Sequence, residues 1–297
     1  MIDLEQFIQQ LVNGVSLGSI YALIALGYTM VYGIINLLNF AHGDIYMIGA
    51  YIGYFVTTYF GLGFFPAIIL SMIGCAILGV VIEKVAYRPL RNSTRIAVLI
   101  TAIAMSLFLE YGMVYLVGAE TRTFPEILPH KSIHLFHTDI VIDIRNIYII
   151  LVTIFLMLVL QFIIKNTKTG KAIRAVSLDR DAAQLMGIHM DKAISFTFAI
   201  GSALAGAAGV LVGVYYNSIN PLMGVLPGIK AFVAAVIGGI GLIPGAAFGG
   251  FLLGIIETMV STFGGSLYKD AVAYVILIIV LLILPNGILG KNVKEKV

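Results

Sequence analysis

His42 and Asp44 stand two residues apart in sequence that is otherwise compatible with lipid. The stretch around them, Asn36–Asp44, reads NLLNFAHGD and interrupts an apolar region that would otherwise run from Phe7 to Phe60. Backbone polar groups are not left unpaired against lipid, so such a break faces protein or a water-filled cavity. Broken helices at membrane depth line transport paths, and their ends bind charged groups. On that reading Asn36, Asn39, His42, Gly43 and Asp44 border a path. An ordinary turn between two spans fits the same residues, with His42 as a packing or hydrogen-bonding side chain and Asp44 as a helix cap. Both readings stay open. Glu110 and Glu257 lie inside apolar stretches. A carboxylate at the bilayer centre costs on the order of 3 kcal/mol, so both are candidates to face a bundle interior, unless they sit at span ends. Glu83, beside Lys84 at a span end, reads as interfacial. His130, His134 and His137 recur at spacings that would share one helical face, which is a zinc-like arrangement. No cysteine or second cluster supports a metal, and a proline-flanked loop need not be helical. Contact with an outside partner is the plainer reading there, and no metal is expected.

Other chemistry has little to stand on. Thr169-Gly170-Lys171 lacks the upstream glycine of a phosphate-binding loop, and Ala172 stands where Ser or Thr is needed. There is no paired-histidine metalloprotease motif and no Gly-x-Ser-x-Gly elbow. The chain is not expected to be an enzyme.

The elements that would position these residues are spanning helices. The chain is 60% hydrophobic and 11% charged, with mean hydropathy +1.03, whereas soluble domains are about a quarter charged. Apolar residues come in long runs that do not alternate, which excludes a transmembrane barrel. The single cysteine, Cys75, rules out a disulfide framework. Asp3 and Glu5 stand where a signal peptide would be basic, so the first span is expected to be retained. Spans are expected over 7–32, 44–60, 64–86, 96–118, 147–164 and 193–216, then a Gly-rich pair, 229–242 and 245–263, and a last span from 271 to 284. The first of the pair is short for a crossing, so eight or nine helices span or re-enter. Its glycines, Gly239 and Gly241 among them, serve tight helix packing or border a path at an interrupted helix. Thirteen of the 18 Lys and Arg fall in 84–95, 165–192 and the tail after Gly290. All three places lie on one side of a nine-crossing bundle, which the positive-inside rule makes cytoplasmic. The N-terminus and the 119–146 loop then lie outside. Residues 1–297 are expected to form a single transmembrane domain, all-α and polytopic.

Lys165–Lys192, KNTKTGKAIRAVSLDRDAAQLMGIHMDK, carries more than a turn needs. It predicts one helix over Ala172–Gly187, with Gly187 as its stop and an apolar stripe of Ala175, Leu178, Ala182 and Leu185. Such a helix can lie in a groove of a soluble partner or on the membrane surface.

Three segments in order then resemble the permeases of branched-chain amino acid ABC transporters: GYTMVYGIINLLNFAHGDIYMIGAY, the loop TKTGKAIRAVSLDRDAAQLMGIHMDKAISFTFAIGSALAGAAGVLVG, and IKAFVAAVIGGIGLIPGAAFGGFLLG. The resemblance spans about Asn13 to Gly290, and the short N-terminus with the FAHGD break is similar to the H-type subunit. It implies an ABC importer permease fold and a pairing with a second homologous permease. It also implies two ABC ATPases on the cytoplasmic side and a periplasmic or lipid-anchored binding protein outside, in the cytoplasmic membrane of a bacterium or archaeon. ATP is then used by the partners, and this chain binds no cofactor and no nucleic acid. The coupling segment would dock an ATPase through Gly170, Arg174, Asp179, Arg180, Ala183 and Gly187. Family substrates include leucine, isoleucine and valine, but also amides and urea. The rival is an ion-coupled secondary transporter or channel that uses Asp44, Glu110 and Glu257. The sugar permeases of the same superfamily usually carry a further N-terminal span that is not expected here.

Overall fold

The computed structural model describes residues 4–35, 37–91, 93–129, 131–134 and 141–290. Helices dominate it. Six helical segments are long and apolar enough to cross a membrane. The last of these, Ile243–Ile283, has 41 residues, about twice what one crossing needs. It breaks at Gly265, whose φ of 96° turns the chain, and its halves α10 (Ile243–Met259) and α11 (Lys269–Ile283) pack against each other. With α2 (His42–Phe60) and the 14-residue α9 (Val225–Gly238), the membrane bundle has nine helices among the described residues. The other five are α1 (Leu4–Ile35), α3 (Phe64–Ile82), α4 (Arg95–Val117), α5 (Ile144–Asn166) and α8 (Met190–Tyr216).

α1 and α8 are apolar all round, and 89% and 83% of their most apolar windows are buried. Helices of that kind sit at the centre of a bundle. Around α1 pack α8, α9 and α10, while α8 is flanked by α2 and α3. One face each of α3, α4, α5 and α11 is left apolar and exposed. Without water to drive them together, the central helices meet through small residues. Gly14, Gly18 and Ala22 of α1 face Gly250 and Gly254 of α10 so closely that a Cβ on Gly254 would lie 2.2 Å from Gly18 Cα. Gly206 and Gly209 of α8 meet α3 and α2 in the same way, and the Ser71 hydroxyl bridges the seam by donating to the carbonyls of Gly49 (2.8 Å) or Gly206 (2.9 Å).

The chain between α5 and α8 forms two helices rather than the single one expected. α6 (Lys168–Leu178) ends at Asp179, which adopts an extended conformation and caps α7 (Arg180–Leu185) by accepting from Ala182 N at 2.9 Å. The reason lies in LDRD: an Asp competes with the helix backbone and is a better N-cap than an interior residue. Gly187, at φ 81°, closes α7 with the paired bonds Gly187 N to Gln184 O and Ile188 N to Ala183 O, each 3.0 Å.

The described residues of the connection between α4 and α5 are not helical either. β1 (Arg122–Thr123) pairs with β4 (Ser218–Ile219), and β2 (Ser132–His134) pairs antiparallel with β3 (Val141–Asp143). His134 therefore ends a strand, along which side chains alternate faces, so a spacing of three does not keep to one face as it does on a helix. His130 and His137 lie outside the described residues, as does the basic tail after Gly290.

The glycine seam makes a direct prediction. Gly254→Val forces α1 and α10 apart and lowers detergent-solubilised stability by about 3 kcal/mol or more. Gly112→Ala, where nothing lies within 4 Å, leaves it unchanged. Thermal unfolding of the two purified variants beside the wild type measures both.

Candidate functional site

The interrupted segment folds back into the bundle. The ring of His42, the first residue of α2, packs against Gly27 of α1 and beside the Gly201 carbonyl, near the middle of α8. α1 continues two more turns to Ile35, so the chain leaving it climbs back inside before α2 begins. There the amino end of α2 meets the amino end of α9. A Cβ on Gly43 would lie 2.4 Å from Gly224 O, and one on Gly224 would lie 2.8 Å from Asp44 Oδ1. The Asp44 carboxylate thus lies at the positive ends of two helices, which favour its charge. It also accepts from the Ser106 hydroxyl of α4. Glu110, one turn beyond Ser106, is near enough to repel it. Asn39 Oδ1 accepts from the Tyr87 hydroxyl at 2.8 Å. The His42 ring stacks edge-on to Tyr28, with centroids 4.7 Å apart; it faces the Ile24 carbonyl, and neither ring nitrogen closes a hydrogen bond of normal geometry. Asn39, His42 and Asp44 are at most 2% exposed, so this junction is shut to solvent. Asn36 lies outside the described residues.

Glu257 is held differently. It accepts from the Tyr21 hydroxyl at 2.8 Å and from Lys230 Nζ at 2.7 Å. Lys230 Nζ also stands 2.6 Å from Asp270 Oδ1, at an angle that falls short of a hydrogen bond, and Lys269 Nζ is 3.6 Å from Glu257. Lys230 and Glu257 are 6% and 3% exposed at the side chain. Sequence reasoning singled out Glu257 and missed Lys230. The signal was present: Lys230 is the lone charge in a run from Val225 to Leu242, and an unpaired ammonium there needs a partner. Its side chain points back towards the start of α9, as helical side chains do, and so reaches α1 and α10. Cavities of about 400 and 230 Å³ open beside this cluster and share Tyr216, Glu257 and Lys269.

At the opposite, basic end of the bundle, Glu83 is fully buried and not interfacial as expected. It pairs with Arg91 and accepts from Ser195 at 2.6 Å, while Arg88 and Arg91 both pair with Asp191. This network ties the turn after α3 to the start of α8. Gly239 (φ 111°) and Gly241 (φ 91°) follow α9. The amides of Ile288 and Leu289 satisfy the terminal carbonyls of α9 at Ile237 (2.8 Å) and Gly238 (3.2 Å).

The residues of the expected coupling set divide by direction. Gly170 is packed on the Ile163 carbonyl, and Arg174 donates to Ile164 O, which joins α6 to α5. Arg180 Nη2 donates to Ile34 O at 3.0 Å, which joins α7 to the end of α1. Ala183 is buried, as are Ile173 and Val176, and Ala175 packs on the same core. The expected stripe is therefore split by the break at Asp179. Leu178 at the end of α6 and Leu185 and Met186 at the end of α7 are 87%, 89% and 82% exposed.

A family profile described as branched-chain amino acid transport system / permease component matches residues 10–281. The chain is 45% identical to the high-affinity branched-chain amino acid transport system permease protein BraD of Pseudomonas aeruginosa, over all of both chains. It is 44% identical to LivH of Escherichia coli over 98% of each chain, and 30% identical to a probable LivH of Methanocaldococcus jannaschii over 93% of this chain and 90% of that one. Among solved structures, PsaBC from Streptococcus pneumoniae in complex with Fab superposes with a TM-score of 0.50 at 14% identity. That likeness covers 94% of this chain and 92% of the other, and concerns the fold alone.

The buried pair is expected to behave as a unit. Lys230→Met leaves the buried Glu257 without its close cation and costs about 3–5 kcal/mol, while Glu257→Gln, in which Asp270 still faces Lys230 at 2.6 Å, costs less. The double variant costs clearly less than the sum of the two. Unfolding midpoints of the three variants in detergent complete the cycle.

Proposed function

The chain belongs to the family of branched-chain amino acid transport permeases, and we propose that it is the membrane-spanning subunit of an ATP-driven importer of branched-chain or closely related amino acids. The observation that carries this reading is the identity of 44–45% along the whole chain to LivH and BraD. The partners proposed are a second permease, two ABC ATPases and an external binding protein. ATP hydrolysis belongs to the ATPases. The basic end faces the cytoplasm and the N-terminus lies outside, in agreement with the distribution of Lys and Arg.

The exposed Leu178, Leu185 and Met186 support the placing of the ATPase contact. These are three large apolar side chains, each more than four-fifths exposed, on the basic connection between α5 and α8. Large apolar side chains left uncovered in this way mark docking sites. In this reading they enter an ATPase groove, while Arg174 and Arg180 hold α6 and α7 to α5 and α1. Gly170, Asp179, Ala183 and Gly187 then shape the element that docks. The closed junction of Asn39, His42, Gly43 and Asp44 is the proposed gate of the path. Asn36, Glu110, Gly239 and Gly241 are proposed to border it, and Glu257 belongs to its outer part.

Two variants separate docking from coupling. Leu185→Glu removes a buried contact of about 2–4 kcal/mol, so the ATPases no longer co-purify with the permease, while its own stability is unchanged. Arg180→Glu keeps the ATPases but abolishes uptake, because α7 is released from α1. Affinity purification from native membranes, with leucine uptake in the same cells, reads both. Wild-type uptake that ignores ATP and collapses with an ionophore would overturn the ATP-driven reading.

A further inference from the structure

The charged cluster at Lys230 has more capacity than its own pairs use. Lys269 touches Glu257 only at 3.6 Å, and Asp270 shares Lys230, 2.6 Å away, with Glu257. Both are partly exposed, at 36% and 40% of the side chain, whereas Lys230 and Glu257 beneath them are buried. Two ammonium groups and two carboxylates leave the cluster formally neutral. They line a cavity of about 400 Å³ between α1, α9, α10 and α11, within the usual range of roughly 300–1,000 Å³ for small-molecule sites. Leu222, Met223, Leu226 and Pro227 form an apolar wall of the same cavity.

We propose that this cavity is a permease binding site for a zwitterionic amino acid with an aliphatic side chain. The inference rests on the importer reading given above and adds the site and the charge state of its cargo. The α-carboxylate pairs with Lys269, the α-ammonium with Asp270, and the side chain lies on the wall of Leu222, Met223, Leu226 and Pro227. Tyr21, Lys230 and Glu257 form a fixed floor whose charges are already matched. A net cation or anion would unbalance the neutral cluster. A neutral amide or urea would leave Lys269 and Asp270 without their new partners. Binding exchanges one set of ion pairs for another, so it is reversible and weak, as a transit site requires.

The test uses the assembled transporter with its partner subunits in proteoliposomes, counting labelled leucine taken up and phosphate released in the same vesicles. Asp270→Asn and Lys269→Gln each remove one charged contact and are expected to lower leucine moved per ATP by about tenfold. Loaded binding protein still stimulates hydrolysis in both. Asp270→Glu and Lys269→Arg retain the ratio. A wild-type ratio in the neutralised variants overturns the proposal. So does a parallel fall in hydrolysis and uptake, which marks structural damage, or an equal loss in the charge-conserving variants. Failure of the wild-type complex to couple ATP to leucine uptake would instead sink the importer reading.

Discussion

Every backbone amide and carbonyl at membrane depth needs a partner inside the protein, and this requirement organises the molecule. The chain leaves helical geometry twice within the bundle, before α2 and before α9. Neither break can face lipid, so both are wrapped by other helices. The two helices that start at these breaks bring their amino ends together at Gly43 and Gly224. Only glycine allows that contact, and the helices around it must be just as close. The small-residue seams between α1 and α10, and between α8 and its neighbours, supply that closeness. Burial of the breaks and close packing are one solution to one constraint.

Charge follows the same logic at two depths. Glu83 is sealed from solvent and balanced by Arg91, and Ser195 donates its hydroxyl to it. Glu257 is balanced by Lys230 from a different helix. Ser195 ties Glu83 to α8, and Lys230 ties Glu257 to α9, so each buried carboxylate fixes which helices are neighbours. Asp44 has no cation of its own among the described residues and relies on two helix amino ends and Ser106. A site built from helix ends and a hydroxyl holds its charge only while the helices keep their positions. That makes the junction sensitive to sliding of α9 against α2, whereas the ion pairs tolerate it.

Much of this was legible. The helix runs, the break at NLLNFAHGD, the short Gly-rich helix and the suspicion on Glu257 all follow from apolar length and misplaced polarity. The fold class follows from composition. What was not legible depended on partners distant in sequence. Lys230 lies close to an expected span boundary and was passed over, because the sequence does not show that Glu257 and Tyr21 surround it. Glu83 read as interfacial because Lys84 is its sequence neighbour, while its actual partner, Arg91, becomes adjacent only through the turn after α3. The split at Asp179 was local and readable, but the surrounding helix formers masked its preference for a cap. The apolar stripe failed for the same reason: a periodicity counted across a break assigns the wrong face.

α1 connects the two ends of this arrangement. Its Ile34 carbonyl accepts from Arg180 of the coupling segment, and its Tyr21 hydroxyl donates to Glu257 beside the outer cavity. Thirteen residues of uninterrupted helix separate them, about 20 Å at 1.5 Å per residue. Between them, Tyr28 packs on His42 and Phe232, and so touches both helices that start at the buried junction. A helix hydrogen-bonded along its whole length moves as a body. A displacement of α7 therefore reaches the junction and the charged cavity together. The glycine seams that close the bundle carry no side chains to interlock, so they leave α1 a smooth surface.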